Sequence, residues 1–199
     1  MAVVFTSSSA QVYFNGADKG SNTVATYTIA YTQTVIGGML YSSANQFNGK
    51  IDEVSVFHSA LSSADITAIY NGGVPADISS LSPKGWWRNG DGTGDTDSGG
   101  GAPANTDTIG TVANQGSVNT GSGEGNMTGT NGPTFSTDVP LVLPSITNTL
   151  SGSFDGSDDY LLMGTSAISL DTNFTISAWF KPTSDALAGY DFMVGWGNN

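Results

Sequence analysis

The sequence predicts an all-β chain built from short antiparallel strands, and three observations predict it. Runs of β-branched and aromatic residues alternate with polar ones in the first 75 and last 54 of 199 residues. Glycine is abundant, 27 residues, and turn dipeptides punctuate the runs. A single short stretch carries the capping signals of a helix.

In chain order, Ala2–Phe5 and Gln11–Phe14 read as strands separated by Ser7-Ser8-Ser9, a polar connection of hairpin length. Asn15-Gly16 is a strong turn dipeptide. Ala25–Tyr31 alternates Ala25, Tyr27, Ile29 and Tyr31 against Thr26, Thr28 and Ala30, and Thr34–Ile36 is a short strand ended by Gly37-Gly38. Lys50–Phe57 is an awkward strand. Ile51, Glu53, Ser55 and Phe57 face one way and Asp52, Val54 and Val56 the other, so each face carries an acid. Ala64–Tyr70 is the helix, with Ser62 or Ser63 as N-cap, Asp65 suited to the dipole and Asn71-Gly72-Gly73 as the stop. Leu61, Ile66, Ile69 and Tyr70 form its apolar stripe.

Residues 76–145 change in composition, and Gly, Ser, Thr and Asn dominate. From 89 to 180 there is no Lys or Arg but there are ten acids. This segment reads as an insert or linker, ordered but rich in loops, with Trp86 and Trp87 seeking a surface and Ile109, Val112, Val118, Met127 and Phe135 as anchors. Strand character returns at 146–199, above all in Phe174–Phe180, with Phe174, Ile176, Ala178 and Phe180 on one face, and in Phe192–Gly197.

The balance of 5 Lys+Arg against 17 Asp+Glu, a net charge of −12, argues against a nucleic-acid binder. The absence of cysteine excludes disulfide scaffolds and Cys-based zinc sites. No apolar run approaches the roughly 20 residues of a membrane helix, so membrane insertion is not expected. Catalysis is not expected either. Glu53 and Glu124 are the only glutamates, without the paired carboxylates of a glycosidase, and His58 is the only histidine. No phosphate-binding loop is present.

Certain motifs are more specific. Phe154–Tyr160 (FDGSDDY), Leu170–Pro182 (LDTNFTISAWFKP) and Phe192–Asn198 (FMVGWGN) resemble the opening strands of laminin-G-like, concanavalin A-type jelly-roll domains. Ala2–Gly16, Ile36-Gly37-Gly38, Phe47–Phe57 (FNGKIDEVSVF) and Leu61–Asn71 resemble the closing half of the same family. The halves therefore stand in swapped order: 1–75 closing, 76–145 insert or linker, 146–199 opening. The chain is then a slice of a tandem array, a circular permutant, or a protein whose halves complete one another between neighbouring copies.

The resemblance implies an antiparallel jelly-roll β-sandwich. It also implies a non-enzymatic structural or adhesive module of a repetitive extracellular or virion-surface protein, with adjacent repeats or copies as partners. The alternative it implies is a lectin binding glycans with the help of calcium. The acid of the closing strand, Asp52, is then a candidate ligand for a structural Ca²⁺, with Asp155 and Gly156 as neighbours, because hard oxygen donors suit that ion. Trp86, Trp87 and Trp196 are candidates for stacking on sugar rings, against the plainer expectation that most of the tryptophans pack in a core. Asp158 and Asp159, being adjacent, would point to opposite faces of a strand and could not both chelate an ion without a turn, and a turn before Tyr160 is the expectation. Asp91, Asp95 and Asp97 read as a solvated Gly-rich loop that lacks an EF-hand's closing Glu.

Overall fold

The computed structural model describes residues 1–24, 33–38, 46–117, 125–140, 146–163, 172–183 and 193–197. The strands are β1 (Ala2–Phe5), β2 (Ser9–Phe14), β3 (Ala17–Thr23), β4 (Gln33–Ile36), β5 (Asn48–Phe57), β6 (Gly85–Trp87), β7 (Thr96–Asp97), β8 (Ile109–Val112), β9 (Met127–Thr130), β10 (Thr134–Ser136), β11 (Ser151–Asp155), β12 (Tyr160–Met163), β13 (Phe174–Pro182) and β14 (Val194–Gly197). Helix α1 (Ser63–Tyr70) lies between β5 and β6. Ala25–Tyr31, expected as a strand, lies outside the described residues.

Among the described residues all pairings are antiparallel and make two sheets. The larger runs β10-β11-β5-β13-β1-β2-β3, with β6 also on β5, and the smaller runs β14-β4-β12-β9-β8-β7. The head and tail of the chain interleave. Strand β13 lies between β5 and β1, with Ile176 opposite both Val56 and Val3, while β11 takes the other edge of β5 with Gly152 opposite Ile51. The tail also enters the smaller sheet, where β12 pairs with β4 through Leu161 and Ile36. Residues 76–145 supply β6 and β10 to the larger sheet and β7, β8 and β9 to the smaller.

Two apolar cores follow from this layering. The inner core gathers Ile36, Phe47, Ile51, Val54, Val56, Trp87, Phe154, Leu161, Met163 and Ala178, together with the expected anchors Ile109, Val112, Met127 and Phe135. The anchor Val118 lies outside the described residues. A second core holds Ala2, Val4, Tyr13, Phe57, Ile78 and Trp86 against Ile66 and Ile69 of α1. The helix therefore packs on the larger sheet. Ser62 caps it, with a reciprocal capping box to Asp65, and Asn71 ends it in the left-handed conformation at φ 45°.

The awkward strand resolves through a bulge. Across β5 and β13, Ser55 faces Ser177 but Asp52 faces Trp179, so β5 carries one extra residue. Glu53 is that residue, with φ 47°. The bulge shifts the alternation, so that Val54 and Val56 join Ile51 in the inner core while Phe57 turns to the core under α1. The strict alternation expected from the sequence fails here for that reason. Tight packing also joins head to tail at Gly37, whose φ is +87° and where a Cβ would lie 2.3 Å from the Phe154 ring.

Candidate functional site

The bulge stands at a gap in the sheet. On the edge of β5 away from β13, β11 pairs with residues 48–51 and β6 with residues 54–56. Asp52 and Glu53 fall between the two, and polar side chains close the gap. Asn89 donates its Nδ2 to the Ile51 carbonyl at 2.8 Å. Glu53 is buried; its Oε2 accepts from Trp86 Nε1 at 2.6 Å and its Oε1 from Arg88 Nε at 3.0 Å. Arg88 also donates to the Asp91 carbonyl at 3.2 Å and to the Thr147 carbonyl, and lies 5.4 Å over the Trp86 ring. Burial raises the Glu53 pKa, while the Arg88 charge and the hydrogen bonds from Trp86 and Arg88 pull it back.

Asp52 is 2% exposed. Its Oδ1 accepts from the Glu53 backbone N–H at 2.8 Å, while its Oδ2 has no hydrogen-bond partner among the described residues. Burial, reinforced by the Glu53 charge, raises its pKa well above the ordinary carboxylate value. The Asn148 side-chain amide, also buried, stands near enough to offset part of that shift without closing a hydrogen bond of ordinary geometry. The pair of acids is thus structural in its bonding: each oxygen that is engaged accepts from a backbone, indole or guanidinium N–H.

Asp155 and Gly156 do not join Asp52. Asp155 pairs with Asn48, four residues along β5 from Asp52, which is about 13 Å at roughly 3.3 Å per residue. A structural Ca²⁺ shared by Asp52, Asp155 and Gly156 therefore does not fit this geometry. Asp155 instead meets Asp158 and Asp159 in the turn between β11 and β12, where one oxygen from each lies within 4.8 Å of the others. The turn expected before Tyr160 is present and brings the two adjacent acids to one side. Asp159 is buried, its Oδ2 accepts from Asp155 N at 3.1 Å, and burial raises its pKa to about 6. Carboxylate oxygens at this spacing have the chemistry of hard-cation donors.

The middle acids are not solvated loop charges. Asp95 is buried and accepts from Gly90 N (2.7 Å), Gly92 N (3.0 Å) and Ala113 N (2.7 Å). Burial raises its pKa against those bonds. Asp91 binds the run-in to β11, accepting from Thr149 N at 2.7 Å, Thr149 Oγ1 at 2.6 Å and Leu150 N at 2.9 Å. Asp97 accepts from Gly99 N and Gly101 N at 2.7 and 2.9 Å. Acids in a Gly-rich segment here replace missing secondary structure by capping backbone N–H groups.

Neither adjacent tryptophan is offered to a ligand. As neighbours on a strand they point to opposite faces. Trp87 is fully buried in the inner core, donating Nε1 to the Gly125 carbonyl at 2.8 Å, and Trp86 is 6% exposed under α1. Their packing corrects the sugar-stacking expectation for both. Trp196 lies on β14 opposite Thr34, and its side chain is outside the described residues. Trp179, expected simply to lie on a sheet, is half-buried and stacks on Tyr70, with ring centroids 6.0 Å apart and 17° between planes. Glu124 is outside the described residues, so no glutamate pair of the glycosidase kind is described.

Two antiparallel sheets enclosing one core, with a helix on the back of the larger, define an antiparallel β-sandwich. More particularly, residues 1–67 match the family model of the concanavalin A-like lectin/glucanases superfamily, of laminin G type, and the two-sheet architecture is consistent with that fold. No curated protein and no solved structure matches it. Among the described residues, no helix is long and apolar enough to cross a membrane.

Proposed function

We propose that this chain is a non-enzymatic structural or adhesive module of a repetitive extracellular or virion-associated protein. The observation that carries the reading is the position of β5. It is flanked on one edge by β11 and on the other by β13, both supplied by the last third of the chain. Two complementary parts of one sandwich can close on themselves or on a neighbouring copy, and the second option yields closed oligomers or filaments. The engagement of Glu53, Asp91 and Asp95 in holding the backbone together also leaves those acids without a catalytic task.

Sizing with light scattering at two widely separated dilutions tests this. Exchange of halves between copies gives a mass that depends on concentration. A monomer at every dilution, with no retention on a surface coated with the same protein, overturns assembly through neighbouring copies.

The second reading, a calcium-assisted lectin, has the acidic turn Asp155–Asp159 in its favour. A glycan array probed with and without calcium tests it, and an array without hits removes it.

A further inference from the structure

Two large apolar side chains stay exposed among the described residues, Met1 at 37% and Phe14 at 44%, and both stand on the same cavity. It lies where the C-terminal end of α1 meets β2 and β13, and Tyr13, Phe14, Tyr70, Trp179 and Phe180 line it. Apolar surface gathered at a concavity is where ligand grooves form. The rings are held in position. Trp179 stacks on Tyr70, Phe14 packs on Phe180 with centroids 6.2 Å apart, and the Asn15-Gly16 turn closes against Tyr70, where a Cβ on Gly16 would lie 2.8 Å from the ring. The volume is about 70 Å³, room for roughly five to seven water-sized groups at about 10–15 Å³ each. That suits a compact head group.

The electrostatics of the cavity point one way. Among the described residues no Lys, Arg or His side chain lines it. No basic residue stands in the last turn of α1, whose carbonyl end attracts cations. Asp18, opposite Tyr13 in register, brings a carboxylate to the face that Tyr13 occupies. The Met1 α-amine donates to the Ala178 carbonyl at 2.8 Å, and burial lowers its pKa to about 6, which leaves it largely uncharged at neutral pH.

We propose that this cavity binds a methylated ammonium group, the head of a quaternary or N-methylated amine. The cation rests on the π faces of Phe14 and Trp179, with Tyr13 and Tyr70 as the wall behind it. Methylation matters because a bare ammonium is strongly hydrated, and ring faces repay the loss of that water poorly. A cation is favoured over a neutral group of the same shape by the net charge of −12, by Asp18 and by the uncompensated end of α1. The site lies beside α1, away from the acidic turn, and the inference stands apart from how copies of the chain assemble.

Proton NMR of the small molecule tests it, because aromatic rings shift the signal of methyl groups held against them. The probes are tetramethylammonium, choline, the uncharged tert-butyl isostere of choline, and the unmethylated ethanolamine. Each is titrated at neutral pH with the wild type, Phe14→Leu and Trp179→Leu, with folding of the variants confirmed by thermal melting. Leucine keeps the apolar contact and removes the π face. The expected result is a saturable upfield shift of the tetramethylammonium and choline methyl signals, with the isostere and ethanolamine bound at least about tenfold more weakly. Phe14→Leu weakens binding about two- to fivefold, as for an exposed ring, and Trp179→Leu about tenfold or more. Isostere binding as tight as that of choline assigns the cavity to an apolar side chain of a partner and overturns the proposal. Ethanolamine bound as tightly as choline, no saturable shift with the wild type, or a folded variant of either kind that binds as tightly as the wild type overturns it as well.

Discussion

Arg88→Met removes the cation that makes the buried Glu53 carboxylate tolerable, while keeping much of the side-chain stem. The side chains of Arg88 and Glu53 are 13% and 4% exposed, so neither is a surface group. Stripping one partner from such a pair costs about 3–5 kcal/mol. That figure covers the carboxylate left uncompensated, the Asp91 and Thr147 carbonyls left without a donor, and the contact over Trp86. In a domain of this size it corresponds to a melting temperature lower by roughly 6–20 °C, at about 2–4 °C per kcal/mol.

The pH dependence makes the test specific. Without Arg88 the folded-state pKa of Glu53 rises further above its ordinary 4.5. An acid whose pKa is raised on folding binds more protons folded than unfolded, so stability falls as pH climbs from the unfolded toward the folded value. The variant's deficit should therefore be smaller near pH 4.5 than near pH 8, by about 1.4 kcal/mol for each pH unit of added shift. Urea unfolding of both proteins at the two pH values measures it, and taking the difference cancels the other titrating groups. A deficit equal at both pH values, or below about 1 kcal/mol at the higher one, as for a surface pair, refutes the account of Glu53.

Three further outcomes are expected. Gly37→Ala forces a methyl into the Phe154 ring at positive φ, and should cost about 2–5 kcal/mol; combining it with Phe154→Ala recovers part of that loss in a double-mutant cycle if head and tail touch as described. Asp52→Asn replaces a carboxyl whose raised pKa favours the neutral form, so it should leave stability within about 1 kcal/mol in mild acid and raise it in alkali, where the wild type ionises. A melting point lowered by Asp52→Asn in calcium, but not in chelator, would show a cation on the charged carboxylate and contradict this. Asp159 should titrate near 6 by NMR, its contribution to stability falling as pH rises from its ordinary 3.8 to that value and staying flat above it. Added calcium lowers that midpoint if the turn binds the ion, and an unmoved midpoint excludes it.

The legible parts of the fold were those written locally. Val3 and Val12 face each other across the β1–β2 hairpin, Asn15-Gly16 turns with both φ positive, and Ser62 caps the helix as its spacing implies. Buried anchors in the glycine-rich middle, such as Ile109 and Phe135, were visible as isolated apolar residues. Strand β3 was not, because all seven of its residues are exposed and carry no alternation. The bulge at Glu53 was hidden for a different reason. It answers a gap between β11 and β6, which arrive from residues far along the chain. Asp158 and Asp159 were legible too, because adjacent acids can meet only in a turn, and they stand in the turn before Tyr160.

The placement of β5 has a consequence for synthesis. Asp52 cannot meet Trp179 until 127 more residues have been made, a wait of roughly 6–25 s at about 5–20 residues per second. Throughout that interval the nascent polypeptide carries the apolar side chains of Ile51, Val54, Val56 and Phe57 on a strand with a bare hydrogen-bonding margin. Cells producing this protein should therefore show its incomplete forms held by chaperones, and truncation before residue 174 should deliver it to inclusion bodies.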